Sequence, residues 1–272
     1  MMKKSIVVSN ASTIFSALDF KINLEENIEK IASLGFDGAE LHVGNPKDLN
    51  VENVIKIIKE NNLEVPTIGT GQAYTEEGLS FSDSNEIVRK MAVKRIKNQI
   101  IFASHFNSQV TIGSIMGKIE EDVNKIDAEE WAIDCLRKCT EFAKEYGVRL
   151  TLEPLNRYER NFINTLNEGI EFIKRVRVSN LGLLADTFHM NIEEISICDS
   201  IIQAKDYITH VHFADSNRWT PGYGHLDFAK IVQTLKKIGY QGHVSAEALP
   251  LPDSDNNCAR LTIEALNKLN IS

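Results

Sequence analysis

Short β-branched runs alternate with amphipathic stretches along the whole chain, and this alternation is its first legible feature. Residues 5–10 (SIVVSN), 38–43 (GAELHV), 64–70 (EVPTIGT) and 109–115 (QVTIGSI) read as strands. So do residues 149–154 (RLTLEP), 181–187 (LGLLADT), 208–214 (ITHVHFA) and 243–248 (HVSAEA). Between them, apolar residues recur at spacings of three and four, as in NVIKIIKENN and FAKIVQTLKKIG, the period of a helix with one buried face. The pattern predicts helices near 24–34, 51–61, 85–104, 128–145, 167–176, 197–205, 227–238 and 256–269. Gly35, Gly147 and Gly239 are placed to stop helices in the left-handed conformation. Asp127 and Asn167 are the expected N-caps.

Eight strands alternating with eight helices predict a parallel sheet closed into a single-domain (β/α)8 TIM barrel over residues 1–272. An open doubly wound sheet would carry a glycine-rich phosphate loop after its first strand, and none follows SIVVSN. Gly69 and Gly71 in IGTGQAY imitate such a loop weakly, because no helix is expected directly behind them.

Composition narrows the function. The formal charge of −8, from 38 acids against 30 Lys plus Arg, argues against a nucleic-acid partner, which would want a basic stripe. Absence of an apolar run of about 18 residues argues against a membrane span. The opening MMKKSIVVSN is too short in its apolar part for a secretory signal, so a cytoplasmic protein is expected. Cys135 and Cys139 have helical spacing but no second pair or nearby His to complete a zinc site, and small buried helix residues are the expected role.

In such a barrel the active site lies where the strands end at their C-terminal tips. The fifth strand ends in Glu153, the sixth in Asp186, the seventh carries His212 and the eighth ends in Glu247. Singly, each has a plain reading: Asp186 as a helix cap, His212 as a bonded core histidine, Glu153 and Glu247 as ordinary strand-end acids. His210, one pleat below His212, suits the core role better. Four successive strands ending this way point instead to one shared ion. Three carboxylates crowded together repel unless a cation or protons intervene. Three oxygens and one imidazole suit Mn²⁺, or Mg²⁺ or Co²⁺, better than a thiolate-seeking metal.

Around the four, His189 and Arg218 lie on loops above the ligand strands, and Glu159 and Gln72 stand nearby. These are candidate contacts to substrate hydroxyls, although a salt bridge or cap fits His189, Arg218 and Glu159 equally well. Tyr74 and Trp219 are candidate pocket walls. On the second strand Glu40 and His42 share a face, so at least one is expected to reach the cavity.

The stretches EPLNRYE, DTFHMNIEE, HFADSNRWTPGYGHLDF and GYQGHVSAEALP resemble those of the xylose-isomerase-like barrels, and within them the ketose 3-epimerases of the D-tagatose and D-psicose group. TIGTGQAY and VSAEALPLP are more similar to the 5-keto-L-gluconate epimerases, which act on a keto sugar acid. The resemblance implies that Glu153, Asp186, His212 and Glu247 bind a manganese-like ion, that Glu153 and Glu247 double as acid and base, and that Glu159, His189 and Arg218 contact substrate. It also implies a homodimer or homotetramer. The implied reaction interconverts 5-keto-L-gluconate and D-tagaturonate. Alternatives are a 3-epimerase of neutral ketoses or a hydroxypyruvate-type aldose–ketose isomerase with the same ligands. For a carboxylated substrate Arg218, Arg157 and Arg160 are all candidate cations. A DNA-repair endonuclease on a related barrel would need more than seven histidines and a basic groove, and a non-catalytic sugar-binding barrel would have little use for two glutamates at the reacting carbon.

Overall fold

The computed structural model describes residues 1–9, 24–249 and 257–271. Eight parallel strands pair in chain order and close between first and last: β1 Lys3–Ser9, β2 Gly38–His42, β3 Thr67–Gly69, β4 Gln109–Ile112, β5 Leu150–Leu152, β6 Leu181–Asp186, β7 Ile208–Phe213 and β8 His243–Ala246. The helices that flank them are α1 Leu24–Ser33, α2 Val51–Glu60, α3 Gly71–Thr75, α4 Glu86–Ser104, α5 Lys125–Glu145, α6 Leu166–Val176, α7 Thr187–Glu193, α8 Ile197–Gln203, α9 Phe228–Lys237 and α10 Cys258–Lys268. The expected (β/α)8 barrel is therefore what the sequence forms. Asn10 and Asn256, at the ends of an expected strand and helix, lie outside the described residues.

The strands are shorter than the hydrophobic runs that announce them. The run at 64–70 yields a ladder over Thr67–Gly69 only, with Glu64 held in a single bridge to Gly38. Two short helices were not expected. One is α3, which opens at Gly71, the last residue of IGTG, against the expectation for that stretch. The other is α7, which places His189 in a helix rather than on a loop.

Two expected caps are also corrected. Asn124 caps α5, leaving Asp127 in its first turn, where its charge suits the positive helix end. Thr165, not Asn167, caps α6 through a reciprocal box with Glu168. Gly35, Gly147 and Gly239 do take positive φ, at 88°, 67° and 76°.

The core is apolar between sheet and helices. Phe81, Phe102 and Phe213 are among its fully buried side chains, and each such burial stabilises by roughly 1.5–3 kcal/mol. Cys135 and Cys139 belong to this layer, and burial pushes the Cys135 thiol up to about 11. No described helix is long and apolar enough to cross a membrane.

One irregularity in the barrel matters for the site. Between β6 and β7 the register slips by a residue: Leu183 pairs with Ile208, but Leu184 pairs with His210. The slip brings His212 level with Asp186, where an unbroken register would have brought Val211. Thr209, the extra residue, leans over Gly182 and bonds Thr151 Oγ1 at 3.1 Å. A methyl on Gly182 would overlap the Thr209 side chain. Gly182→Ala is therefore expected to cost about 1–3 kcal/mol. Thermal melts should show a fall of about 2–4 °C for each kcal/mol. An unchanged melting temperature would remove Gly182 from this role.

Candidate metal centre

Glu153 and Glu247 each stand one residue beyond their strands, but their amides continue the ladder, to Ile112 O at 3.0 Å and Phe213 O at 3.3 Å. Asp186 is the last residue of β6, and His212 is the fifth of β7. All four side chains converge, each offering one ligand atom within 4.8 Å of the others. His212 Nδ1 lies 3.6 Å from Glu153 Oε1, from Asp186 Oδ2 and from Glu247 Oε2.

Asp186 serves both readings weighed for it. Its Oδ1 caps α7, accepting from the amides of Phe188 at 2.7 Å and His189 at 3.0 Å, while Oδ2 turns to the cluster. Glu153 has room because Gly113 lacks a side chain: a methyl there would overlap the Glu153 carboxylate.

The donor set fits a divalent cation. His212 Nδ1 and Glu153 Oε1 are buried and have no hydrogen-bond partner, an arrangement that costs free energy until something shares their lone pairs. A buried imidazole nitrogen ringed by three carboxylates is the donor set that suits an oxygen-preferring ion with one nitrogen ligand. Burial pushes the Glu153 carboxyl up, with Glu247 adding to it against the opposing pull of His212. Burial would also raise Asp186, but His189, His212 and Arg218 hold it down to about 2. Glu247 is lowered against its burial by His212, His42 and Arg218. Burial alone would depress His212, yet Glu40 and the three acids lift it well above the ordinary imidazole value.

That lift has a measurable consequence, because an ion and a proton compete for the same Nδ1 lone pair. As pH rises toward the elevated His212 value, the competing proton is lost more readily. The apparent affinity for Mn²⁺ is expected to increase about tenfold per pH unit, with proton release on binding. Calorimetric titration in buffers of different ionisation enthalpy checks this; an affinity flat between about pH 6 and 8 contradicts it.

The remaining candidates surround the four. His189 is buried, and its Nδ1 accepts from the Asn156 amide at 3.2 Å, so its proton sits on Nε2, a buried donor with no protein partner. Asn156 was not singled out in the sequence although it lies inside EPLNRYE. Its side chain bridges His189 and Glu159, at 2.8 and 3.1 Å.

Arg218 binds Glu159 through Nη1 at 2.8 Å, approaches Glu247 to 3.7 Å through Nη2, and stacks 4.9 Å from the Phe188 ring. Its backbone is left-handed, φ 65°. Asp215, a second residue missed in the sequence, pins the loop that carries Arg218 by accepting from the amides of Ser216, Gly222 and Leu226. Only the local density of Asp, Ser, Asn and Gly in HFADSNRWTPGYG hinted at it.

Gln72 is buried on α3 and donates to Ser9 at the tip of β1, 2.9 Å away; it bonds none of the four clustered residues. Arg157 forks onto Glu193, and Arg160 is buried against the carbonyls of Ser114 and Glu159 and stacked on Tyr74.

Residues 28–268 match the family described as Xylose isomerase-like TIM barrel. The chain belongs to that family, in the group of the ketose 3-epimerases. It is 34% identical over 228 residues to a D-psicose 3-epimerase of Ruminiclostridium cellulolyticum, spanning 81% of this chain and 76% of that protein. Among solved structures, the 3-keto-D-glucoside 4-epimerase of E. coli aligns with a TM-score of 0.83 at 27% identity, over 100% of both chains. The D-psicose 3-epimerase of Clostridium cellulolyticum H10, solved with D-tagatose, aligns with a TM-score of 0.84 at 25% identity, over 99% of this chain and 98% of that one. These relatives are named as epimerases, which are isomerases acting on sugars.

Proposed function

We propose that the protein is a divalent-metal-dependent epimerase that inverts the carbon next to the ketone of a keto sugar acid, of the type that interconverts 5-keto-L-gluconate and D-tagaturonate. The observation that carries the reading is the placement of Glu153 and Glu247. They come from staves separated by β6 and β7, yet both carboxylates reach within 3.6 Å of one imidazole nitrogen. Inversion requires a proton to leave one face of the carbon and another to arrive on the opposite face, and two acids at one reacting centre supply both.

Glu153, Asp186, His212 and Glu247 are the residues to hold the ion, with Mn²⁺ preferred and Mg²⁺ or Co²⁺ as substitutes. The bound cation supplies Lewis-acid stabilisation of the charge that develops on the ketone oxygen as the proton leaves. One of Glu153 and Glu247 takes the proton from one face of the carbon and the other gives one back to the opposite face. In reverse the roles exchange. His189 Nε2–H and the Glu159–Arg218 pair orient substrate oxygens.

Of the three arginines weighed for a substrate carboxylate, Arg218 approaches Glu247 to 3.7 Å, whereas Arg157 is held by Glu193 and Arg160 by backbone carbonyls. TIGTGQAY and VSAEALPLP support the acid substrate. One observation favours a neutral ketose instead: Glu159 already binds the Arg218 guanidinium, and the relatives above are named for psicose and a keto-glucoside.

The test is turnover of ketoses and keto sugar acids with Mn²⁺ in D₂O, read by chromatography and mass spectrometry. The expected product is an epimer carrying one solvent deuteron at the inverted carbon. Unlabelled product contradicts exchange through the two glutamates, and hydrogen moved between adjacent carbons makes the enzyme an aldose–ketose isomerase. Arg218→Met should raise KM more for the acid than for a neutral ketose; equal losses favour the neutral substrate.

A further inference from the structure

Beneath the four-residue cluster lies a second group of ionisable side chains that the reaction above does not use. Glu40, on β2, has no exposed surface and sits among three imidazoles. Its Oε2 is 2.8 Å from His210 Nε2, and its Oε1 is 2.9 Å from His212 Nε2 and 3.2 Å from His42 Nε2. Its two oxygens therefore face three ring nitrogens and accept from those that carry a proton. His210 is the bonded core histidine expected from its place one pleat below His212, and both members of the β2 pair reach inward, His42 to 3.9 Å from Glu247 Oε1.

We infer that Glu40 is a positioning residue: it accepts a hydrogen bond from the Nε2–H of His212 and thereby leaves the Nδ1 lone pair aimed at the three carboxylates above. A neutral imidazole has one protonated and one bare nitrogen, and only the bare one ligates a metal. If the residue below His212 donated a hydrogen bond, Nε2 would be the bare nitrogen and Nδ1 would point a proton into the cluster. A carboxylate cannot donate, so the choice is fixed. The same bond holds the ring plane and makes Nδ1 a better donor to a cation. His210 and His42 also face the Glu40 oxygens, which keeps the buried carboxylate hydrogen-bonded. Glu40 touches neither substrate nor ion in this scheme and acts through His212 alone.

The inference rests on the ligand set proposed above, and the test separates the two. Chelator-stripped wild type, Glu40→Gln, Glu40→Asp and Glu153→Gln are titrated with Mn²⁺ by calorimetry, with bound metal counted by elemental analysis. The expected result is one Mn²⁺ per wild-type chain, weaker binding in Glu153→Gln, and a loss of about 10- to 100-fold in Glu40→Gln with an unchanged circular dichroism spectrum. Glutamine must turn its amide NH₂ toward one of the imidazoles; Glu40→Asp keeps the anion and should recover part of the affinity. Weakened Glu153→Gln with Glu40→Gln within twofold of wild type overturns the Glu40 role alone. No uptake by wild type, or no loss in Glu153→Gln, overturns the ligand set and the Glu40 role with it.

Glu40, His210 and His212 also lie within ligand distance of one another. Two ions per wild-type chain, falling to one in Glu40→Gln, would make Glu40 a ligand of a second ion and overturn positioning. Should Glu40→Gln not fold, the Mg²⁺-loaded wild type decides by ¹⁵N-edited NMR. A slowly exchanging downfield proton on His212 Nε2 is expected, and its absence overturns the inference.

Discussion

Glu153→Gln and Glu247→Gln are each expected to lower kcat by about 10²–10⁴-fold, the usual worth of a positioned acid or base. Glutamine keeps an oxygen where the carboxylate stood, so the ion is retained more weakly and the loss at saturating Mn²⁺ reports on proton transfer. The variants should also differ from each other in a way that a general loss of structure would not produce. With one glutamate left, the carbon can be deprotonated and reprotonated from one face only. Each variant should therefore wash solvent deuterium into one epimer without making the other, and the epimer that exchanges should switch between the two variants. Exchange into both epimers, or kcat within tenfold of wild type in either variant, would deny the pair its assigned roles.

Removal of divalent metal is expected to abolish turnover, because the carbon next to a ketone gives up its proton slowly unless the developing oxyanion is stabilised, a contribution of several kcal/mol. The same removal should soften the fold. Three buried carboxylates then share the space around His212 with only protons and the nearby cations to offset them. Adding Mn²⁺ back at about 100 times its dissociation constant should raise the unfolding free energy by about 2.7 kcal/mol. Differential scanning calorimetry with and without chelator measures it. Full activity in chelator, or a melting temperature indifferent to Mn²⁺, would contradict the metal-dependent scheme.

The parts of this account that the sequence made legible share a cause. Strand alternation and helical periodicity are local, so the eightfold repeat could be read from runs such as SIVVSN and FAKIVQTLKKIG. Because the barrel gathers its strand tips at one end, residues 153, 186, 212 and 247 could be brought together on paper before any coordinates.

What escaped depends on nonlocal fit. The slip at Thr209 requires the missing side chain of Gly182 on the neighbouring strand, and neither residue is unusual alone. Glu40 looked like one of two options on β2 until the barrel closed and set it under His212. Asn156 takes its meaning from His189, thirty-three positions away in the chain. The helices at 71–75 and 187–193 are too short for a periodic signal, and α7 depends on Asp186 as its cap. The α6 cap, by contrast, was visible: Thr165 and Glu168 form the Thr-x-x-Glu signature, passed over in favour of Asn167.

The central claim is that four neighbouring staves of one barrel grip a single ion. Anomalous diffraction from Mn²⁺-soaked crystals, recorded either side of the manganese absorption edge, addresses it most directly. The account predicts one strong peak per chain, in bonding contact with Glu153, Asp186, Glu247 and Nδ1 of His212. A peak located away from these side chains, or a map with no peak among them, would contradict it.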